Sequence, residues 1–364
     1  MLGNTHSLGL DQCAELIKAI GSEVTVLLRG DMGNGKTSVA KTLHEELPEH
    51  VLCMLDCSSL DLGDLAIPNL SQAETEKYVS FAVNEALGLH LGKPVIVCLD
   101  EFGKANPAVK TALCRFMLER QFGTLSLHPD SIVFATTNKG AEGVGDLLLP
   151  HQRNRIAIVD VRKSTAEEWV IWGINNGIDH SLLGWVKQNP QVLQSFEDVE
   201  NPDDNIHIFH PKAQRESFVT PRALELASKI LHRRALFDGD TLKAALAGVI
   251  GAPSAQDFYS FLTLASKLPS LESIKADPNT ATLPDTPATK CMTIYRGLAA
   301  IERDWVDAWM TYLLRFDPEA QALFVKGALN EKYPKRKMMM HNSKFCDWAV
   351  DNGWINAEAV KKGV

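Results

Sequence analysis

The 364-residue sequence has no apolar run long enough to cross a bilayer. Its longest uncharged stretch, Ala244–Gln256, is 13 residues with glycine and proline inside it, whereas a spanning helix needs roughly 20 apolar residues. The seven cysteines (Cys13, Cys53, Cys57, Cys98, Cys114, Cys291, Cys346) are an odd number with no C-x-x-C pair, so neither a disulfide framework nor a zinc ribbon is indicated. They read as small buried hydrophobes. A leader pattern is also missing, since the first lysine is Lys18, so the expected location is cytoplasmic, with no membrane partner. The 11 histidines offer no convincing metal-ligand spacing; His207-x-x-His210 falls in a polar stretch. Positive charge is in deficit, with 37 Lys+Arg against 45 Asp+Glu for a net charge of −8. That balance disfavours a surface built mainly to follow nucleic-acid phosphates. No internal repeat and no low-complexity tract occurs.

What is present is a chain with 45% hydrophobic and 23% charged residues, ordinary for globular domains and too long for a single core. Its charge is uneven. Residues 291–364 hold 11 Lys+Arg and 9 Asp+Glu, net +2 in an otherwise acidic chain. The run Lys332–Cys346 contains Lys332, Lys335, Arg336, Lys337 and Lys344 with no acid, interleaved with Tyr333, Phe345 and Met338–Met340. Such a run reads either as a solvated connector with its methionines packed locally or as a contact for nucleic acid or an acidic partner.

Over the first 160 residues, short β-rich runs alternate with helical spacing, the pattern of a parallel sheet covered by helices. Five continuous apolar runs are expected to be strands: Val24–Arg29, Val51–Cys57, Val95–Leu99, Ile132–Thr136 and Ile156–Val161. A helix is expected from Asn106 as N-cap and Pro107 in the first turn, burying Val109, Ala112, Leu113, Phe116 and Met117 and ending at Gly123. From Ser164 the spacing is mostly helical, with a loop at Asn201–Lys212. Residues 268–290, carrying Pro269, Pro278, Pro284 and Pro287, read as a linker, and Cys291–Phe316 as one long amphipathic helix. The expected divisions are 1–163 for an α/β nucleotide-binding domain, 164–267 for a helical lid, 268–290 for the linker and 291–364 for a helical extension.

Gly30-Asp31-Met32-Gly33-Asn34-Gly35-Lys36-Thr37 is a complete G-x-x-x-x-G-K-[ST] phosphate loop. Its glycines let backbone N–H groups curl around an anion, Lys36 would reach the β and γ phosphates, and the Thr37 hydroxyl would ligate Mg2+. Gly30 to Thr37, with Ser38 following, are the candidate ATP-binding residues. The expected flanks, a strand before and a helix after, are in place.

A second piece is Val95–Glu101, an apolar strand ending in two carboxylates. At the carboxyl end of a central strand these would lie beside the phosphate loop, Asp100 holding Mg2+ together with Thr37 and Glu101 acting as general base on the attacking water. A third is Phe134-Ala135-Thr136-Thr137-Asn138, in which Asn138 could hydrogen-bond both the γ-phosphate and that water. Asn138-Lys139 is not a guanine-reading N-K-x-D, because position 141 is Ala.

In order and spacing these pieces resemble the AAA+ ATPases, and within them the MoxR-like group with its helix-two insert. The stretches that carry the resemblance are Asp100–Pro107, Leu118–Gln121, Asp61–Pro68, Leu149–Ile156 and Thr220–Leu224, and it covers about residues 8–266. It implies a P-loop AAA+ fold: a five-stranded parallel sheet with helices on both faces, then an α-helical lid domain and a helical C-terminal extension. It also implies Arg155 as an arginine finger acting on a ring neighbour, with Arg153 as the alternative, and Arg222 as a lid arginine reaching the γ-phosphate. Gln121–Ser131, where the group has a β-hairpin, is short here, and 291–364 has no counterpart.

The function expected from the resemblance is an ATP-hydrolysing ring, usually a hexamer, that remodels a client protein with a von Willebrand factor A domain partner. Two other readings stay open: a nucleic-acid motor or replication factor, and a nucleotide-gated scaffold.

Overall fold

Residues alternate between opposite faces along a strand, and in the computed structural model the runs Val26-Leu27-Leu28, Val95-Ile96-Val97-Cys98-Leu99 and Ile132-Val133-Phe134-Ala135 divide accordingly between two hydrophobic clusters. Val26, Leu28, Ile96, Cys98, Ile132 and Phe134 pack with helices α1 (Leu10–Ile20) and α2 (Val39–Glu46). Leu27, Val95, Val97, Leu99, Val133 and Ala135 face the other way, onto Val109, Leu113, Cys114, Phe116 and Met117. Continuous apolar strands are thus explained by burial on both faces. The structure describes residues 6–70, 79–139, 154–213, 215–265 and 268–355.

These strands are β1 (Val26–Gly30), β2 (Val51–Asp56), β5 (Val95–Asp100), β8 (Ile132–Asn138) and β9 (Ala157–Val161), a parallel sheet in the order β2-β5-β8-β1-β9. All five expected strands are present. Between β2 and β5 lie a short helix α3 (Leu62–Leu65) and an antiparallel pair, β3 (Ala66–Asn69) and β4 (Ser80–Val83). Helix α4 (Pro107–Glu119) starts as expected, the Asn106 side chain accepting from the Val109 N–H. Its end is a correction. The helix stops at Arg120, which adopts the left-handed conformation at φ 56, while Gly123 turns the small hairpin β6 (Gln121–Phe122) and β7 (Leu125–Ser126). The Arg120 guanidinium donates to the Gly21 carbonyl at 3.1 Å, which holds the residue in a conformation a glycine would adopt more readily.

The fold divides into two compact units, Met1–Lys163 and Ser164–Val364. All seven tryptophans belong to the second. It opens with α5 (Ala166–Asn175), closed at its start by a reciprocal Thr165–Glu168 capping box. There follow α6 (His180–Gln188), α7 (Pro221–Leu231), α8 (Gly239–Ile250), α9 (Ala252–Ala265), α10 (Leu271–Ala276), α11 (Pro287–Ala300), α12 (Val306–Leu313), α13 (Pro318–Leu329), α14 (Arg336–Met340) and α15 (Ser343–Asp351).

Three expectations for this half are corrected. The stretch read as a linker carries α10, capped by Ser270 and anchored by the fully buried Ile274; Pro287 is the first residue of α11, where its missing N–H costs nothing. The single helix expected over Cys291–Phe316 is broken between Ala300 and Val306, where Ile301 turns extended and Lys335 takes the carbonyls of Ala299 and Ile301 at 2.9 and 2.8 Å. The C-terminal helices are no separate body: Trp309, Phe324, Met339 and Phe345 share one hydrophobic cluster with Trp169, Trp185, Leu224 and Phe258.

In the basic run, Arg336 donates to the Leu329 carbonyl at 3.0 Å and Lys344 to Asp307 and Thr311. Tyr333, Met339 and Phe345 are buried. The run is therefore not a solvated connector: it carries α14 and packs Met339 into the core. All seven cysteines are free and buried, and burial pushes the Cys13 and Cys57 thiols up to about 11 and 12. No helix among the described residues is long and apolar enough to cross a membrane.

Candidate functional site

Parallel pairing in register brings three strand ends together. Gly30 lies opposite Asn138, and β5, which ends in Asp100, adjoins β8. The crevice beyond the carboxyl ends of such strands is where open α/β sheets bind ligands. The chain turns from β1 through Asp31–Gly35 into a helical turn, Lys36–Ser38, that continues as α2. Gly35 at φ 86 makes that entry in a conformation a side chain would oppose.

Lys36 is almost entirely buried, at 6% exposure. Its ammonium donates to the carbonyls of Gly30 (2.9 Å) and Asp31 (2.8 Å) and to Asn138 Oδ1 (2.8 Å). The amide nitrogen of Asn138 in turn donates to both carboxylate oxygens of Glu101, each at 3.3 Å. Lys104 approaches the same carboxylate at 2.8 Å. Lys36, Asn138, Glu101 and Lys104 thus form one chain of side chains. Alongside it, the Thr37 hydroxyl donates to Asp100 Oδ1 at 2.9 Å. An alcohol and a carboxylate facing each other are hard oxygen donors suited to magnesium, which takes few protein ligands and fills its shell with phosphate oxygens and water. No cluster of three His, Cys, Asp or Glu side chains able to hold a metal occurs among the described residues.

Within the loop, Asp31 is buried between Lys163 (3.6 Å) and Lys139 (3.8 Å), Asn34 donates to the Arg162 carbonyl at 2.9 Å, and Ser38 to the Gly35 carbonyl at 2.6 Å. Met32 and Gly33 complete the turn, Gly33 at φ 66.

The candidate arginines are not part of this cluster. Arg155 is exposed just before β9, at the end of the sheet opposite the phosphate loop; a five-residue strand separates those ends by about 16 Å. Its charge is the least of the influences that hold the Glu119 carboxylate low, the first being the Arg115 hydrogen bond. Arg222 is exposed on the first turn of α7 in the second unit, behind the Thr220 cap. Arg153, with the segment 149–153, lies outside the described residues. His207 and His210 do not converge on a metal: His207 Nδ1 meets Ser254 at 2.9 Å, and His210 Nδ1 accepts the N–H groups of Lys212 and Ala213.

Two residues of the cluster carried no expectation. Lys104 lies three residues after Glu101. Thr136 lies two before Asn138 and so on the same face of β8, a period-two signal that could have found it.

The model of the ATPase family associated with various cellular activities (AAA) matches residues 26–159. The matched segment holds Lys36, Thr37, Asp100, Glu101, Lys104 and Asn138 and all of the sheet but the last two residues of β9. A Nif-specific regulatory protein of Sinorhizobium fredii is 32% identical over 144 residues, 38% of this chain and 24% of that protein. The anaerobic nitric oxide reductase transcription regulator NorR of Salmonella paratyphi C is 29% identical over 151 residues, 37% of this chain and 29% of that protein. The chain thus spans about a quarter of the length of the curated relatives it matches. A closed-state reconstruction of Hsp104 with ATPγS and casein aligns at 18% identity and a TM-score of 0.35, covering 72% of this chain and 46% of that one.

Proposed function

We propose that this AAA ATPase domain binds ATP with Mg2+ and hydrolyses it to ADP and phosphate, and that a ring of such chains uses the cycle to remodel a client protein. The carrying observation is the continuous contact Lys36–Asn138–Glu101 beside the Thr37–Asp100 pair. Lys36 supplies positive charge to the β and γ phosphates by exchanging its carbonyl partners for phosphate oxygens. Thr37 and Asp100 hold Mg2+, whose chemistry is to neutralise charge on the phosphate oxygens. Glu101 orients the attacking water and takes its proton, and Asn138, bonded to both Glu101 oxygens, sets the direction of that carboxylate.

Arg155, at the far end of the sheet from its own phosphate loop, suits delivery to a neighbouring chain. An arginine supplied in trans is worth on the order of 10³-fold or more in rate, which couples hydrolysis to the ring interface. Arg222 is assigned the lid position on the resemblance of Thr220–Leu224. The MoxR-like type, the hexamer and the von Willebrand factor A partner are proposed on the same footing. The two regulators match over 38% and 37% of this chain and 24% and 29% of their own lengths, so what they regulate is not carried over to it. Engagement of Lys335, Arg336 and Lys344 with backbone carbonyls favours a protein client over nucleic acid.

Lys36→Ala and Glu101→Gln should each lower ATP turnover by at least about 100-fold; wild-type turnover in Glu101→Gln would remove Glu101 as the base. Mixing inactive Arg155→Ala and Glu101→Gln chains should restore about a quarter of the activity if the arginine acts across a heterologous ring interface, and no recovery would refute delivery in trans. Capture from native cells with ATP-loaded Glu101→Gln should yield a protein client, and a nucleic-acid-dependent catch would instead favour the motor reading.

A further inference from the structure

Thr136, buried in β8, touches both acids of the site through one hydroxyl. Its Oγ1 donates to Asp100 Oδ1 at 2.5 Å and accepts the backbone N–H of Glu101 at 3.2 Å. A hydroxyl has one proton to give and two lone pairs to accept with, so the two bonds are compatible, and the donated one uses its only proton. Asp100 Oδ1 is held from a second side by Thr37 at 2.9 Å. That fixes the rotation of the carboxylate.

The backbone bond has a separate consequence. Glu101 sits at φ 51, one of two non-glycine residues with positive φ among those described. Side chains disfavour this left-handed region, and a residue stays there only when its surroundings hold it. Thr136 supplies that hold across the sheet, 35 residues away in sequence. If the peptide relaxed, the Glu101 carboxylate would swing away from Asn138, and displacements near 1 Å cost on the order of 100-fold in rate.

We infer that Thr136 is a positioning residue for ATP hydrolysis: it aligns the Asp100 carboxylate for the metal and pins the Glu101 backbone so that its carboxylate faces Asn138. This rests on the ATPase reading above. Thr136 acts through Asp100 and the Glu101 backbone, to which it is bonded, and so is a positioning residue and not a catalytic one.

The test compares Thr136→Val, nearly equal in volume but without the hydroxyl, with Thr136→Ser, which keeps it. Turnover at saturating ATP is read together with binding of Mn2+ in the presence of a non-hydrolysable ATP analogue, and with analogue binding in EDTA. Thr136→Val is expected to lower kcat on the order of 10- to 100-fold, to weaken Mn2+ binding several-fold, and to leave metal-free analogue binding within about twofold. Thr136→Ser should recover both losses. Wild-type kcat and Mn2+ binding in Thr136→Val, or equal impairment of the Val and Ser variants, would overturn the inference. Should Thr136→Val not fold, Thr136→Cys, a weak donor of similar size, takes its place with the same expectations. Failure of the ATPase reading is visible separately, as unaltered turnover in Lys36→Ala and Glu101→Gln.

Discussion

Lys36 and Asn138 are joined side chain to side chain at 2.8 Å, ammonium to amide oxygen, across 102 residues of sequence. Because the other end of the same amide donates to Glu101, a group that would bind phosphate and a group that would activate water are linked through one planar side chain.

Asn138→Ala severs that link without removing either charged group. It should lower kcat by about 10- to 100-fold while changing ATP affinity little, since Lys36 and the loop remain. Steady-state turnover alongside direct nucleotide binding separates the two; an equal loss of affinity would assign Asn138 to ground-state binding instead.

Lys104 holds the Glu101 carboxylate in an ion pair with both side chains about one-third exposed. Exposed pairs are worth about 0.2–1 kcal/mol, so freeing the base in Lys104→Met should raise basal turnover by no more than about fivefold. Lys104→Arg should stay near wild type. A fall in turnover with Lys104→Met would give the lysine a supporting role in place of a restraining one.

Two glycine substitutions should move stability in opposite directions. A Cβ on Gly297 would stand 2.2 Å from the Trp309 ring, and overpacking of this kind costs about 1–3 kcal/mol or more. On exposed Gly248, inside α8, a Cβ meets nothing within 4 Å, so Gly248→Ala should stabilise by about 0.5–1 kcal/mol. Since every tryptophan is in the second unit, urea melts followed by tryptophan fluorescence read both effects directly. Equal effects would mean that the helix packing gives way around residue 297.

Burial lowers His180 and His207 below the ordinary 6.5, opposed in part by Asp179 and Asp257 and aided by Arg296, Arg234 and His232 at His180 and by Arg215 at His207. The unfolded chain takes up these protons before the folded one does. Stability of the second unit is therefore full above about pH 6.5 and falls as the pH drops below it, by at most about 1.4 kcal/mol per pH unit per histidine. The carboxylates of Asp238 and Asp277, held low by hydrogen bonds from Thr241 and Thr280, add losses only below about pH 4. Fluorescence-detected urea midpoints at pH 7.5 and 5.5 check this, and His207→Gln should flatten the difference; an unchanged midpoint would exclude the histidines.

The sequence by itself determined the five strands, their burial on both faces, the phosphate loop and the acidic strand end, because each is a local run whose residue types and period suffice. It also placed Asn138, since a polar amide closing an apolar strand is visible within five residues. Tertiary structure alone decided which of these side chains meet. Thr136 bridges Asp100 and Glu101 only through the β5–β8 register, and Lys335 takes the Ile301 carbonyl at the end of α11 from 34 residues away. The proline-rich stretch 268–290 follows the same logic: its prolines mark helix starts and turns, but whether Ile274 and Ala281 are buried depends on the distant helices that cover them. Long-range hydrogen bonds and burial have no local period, so only the folded chain reveals them.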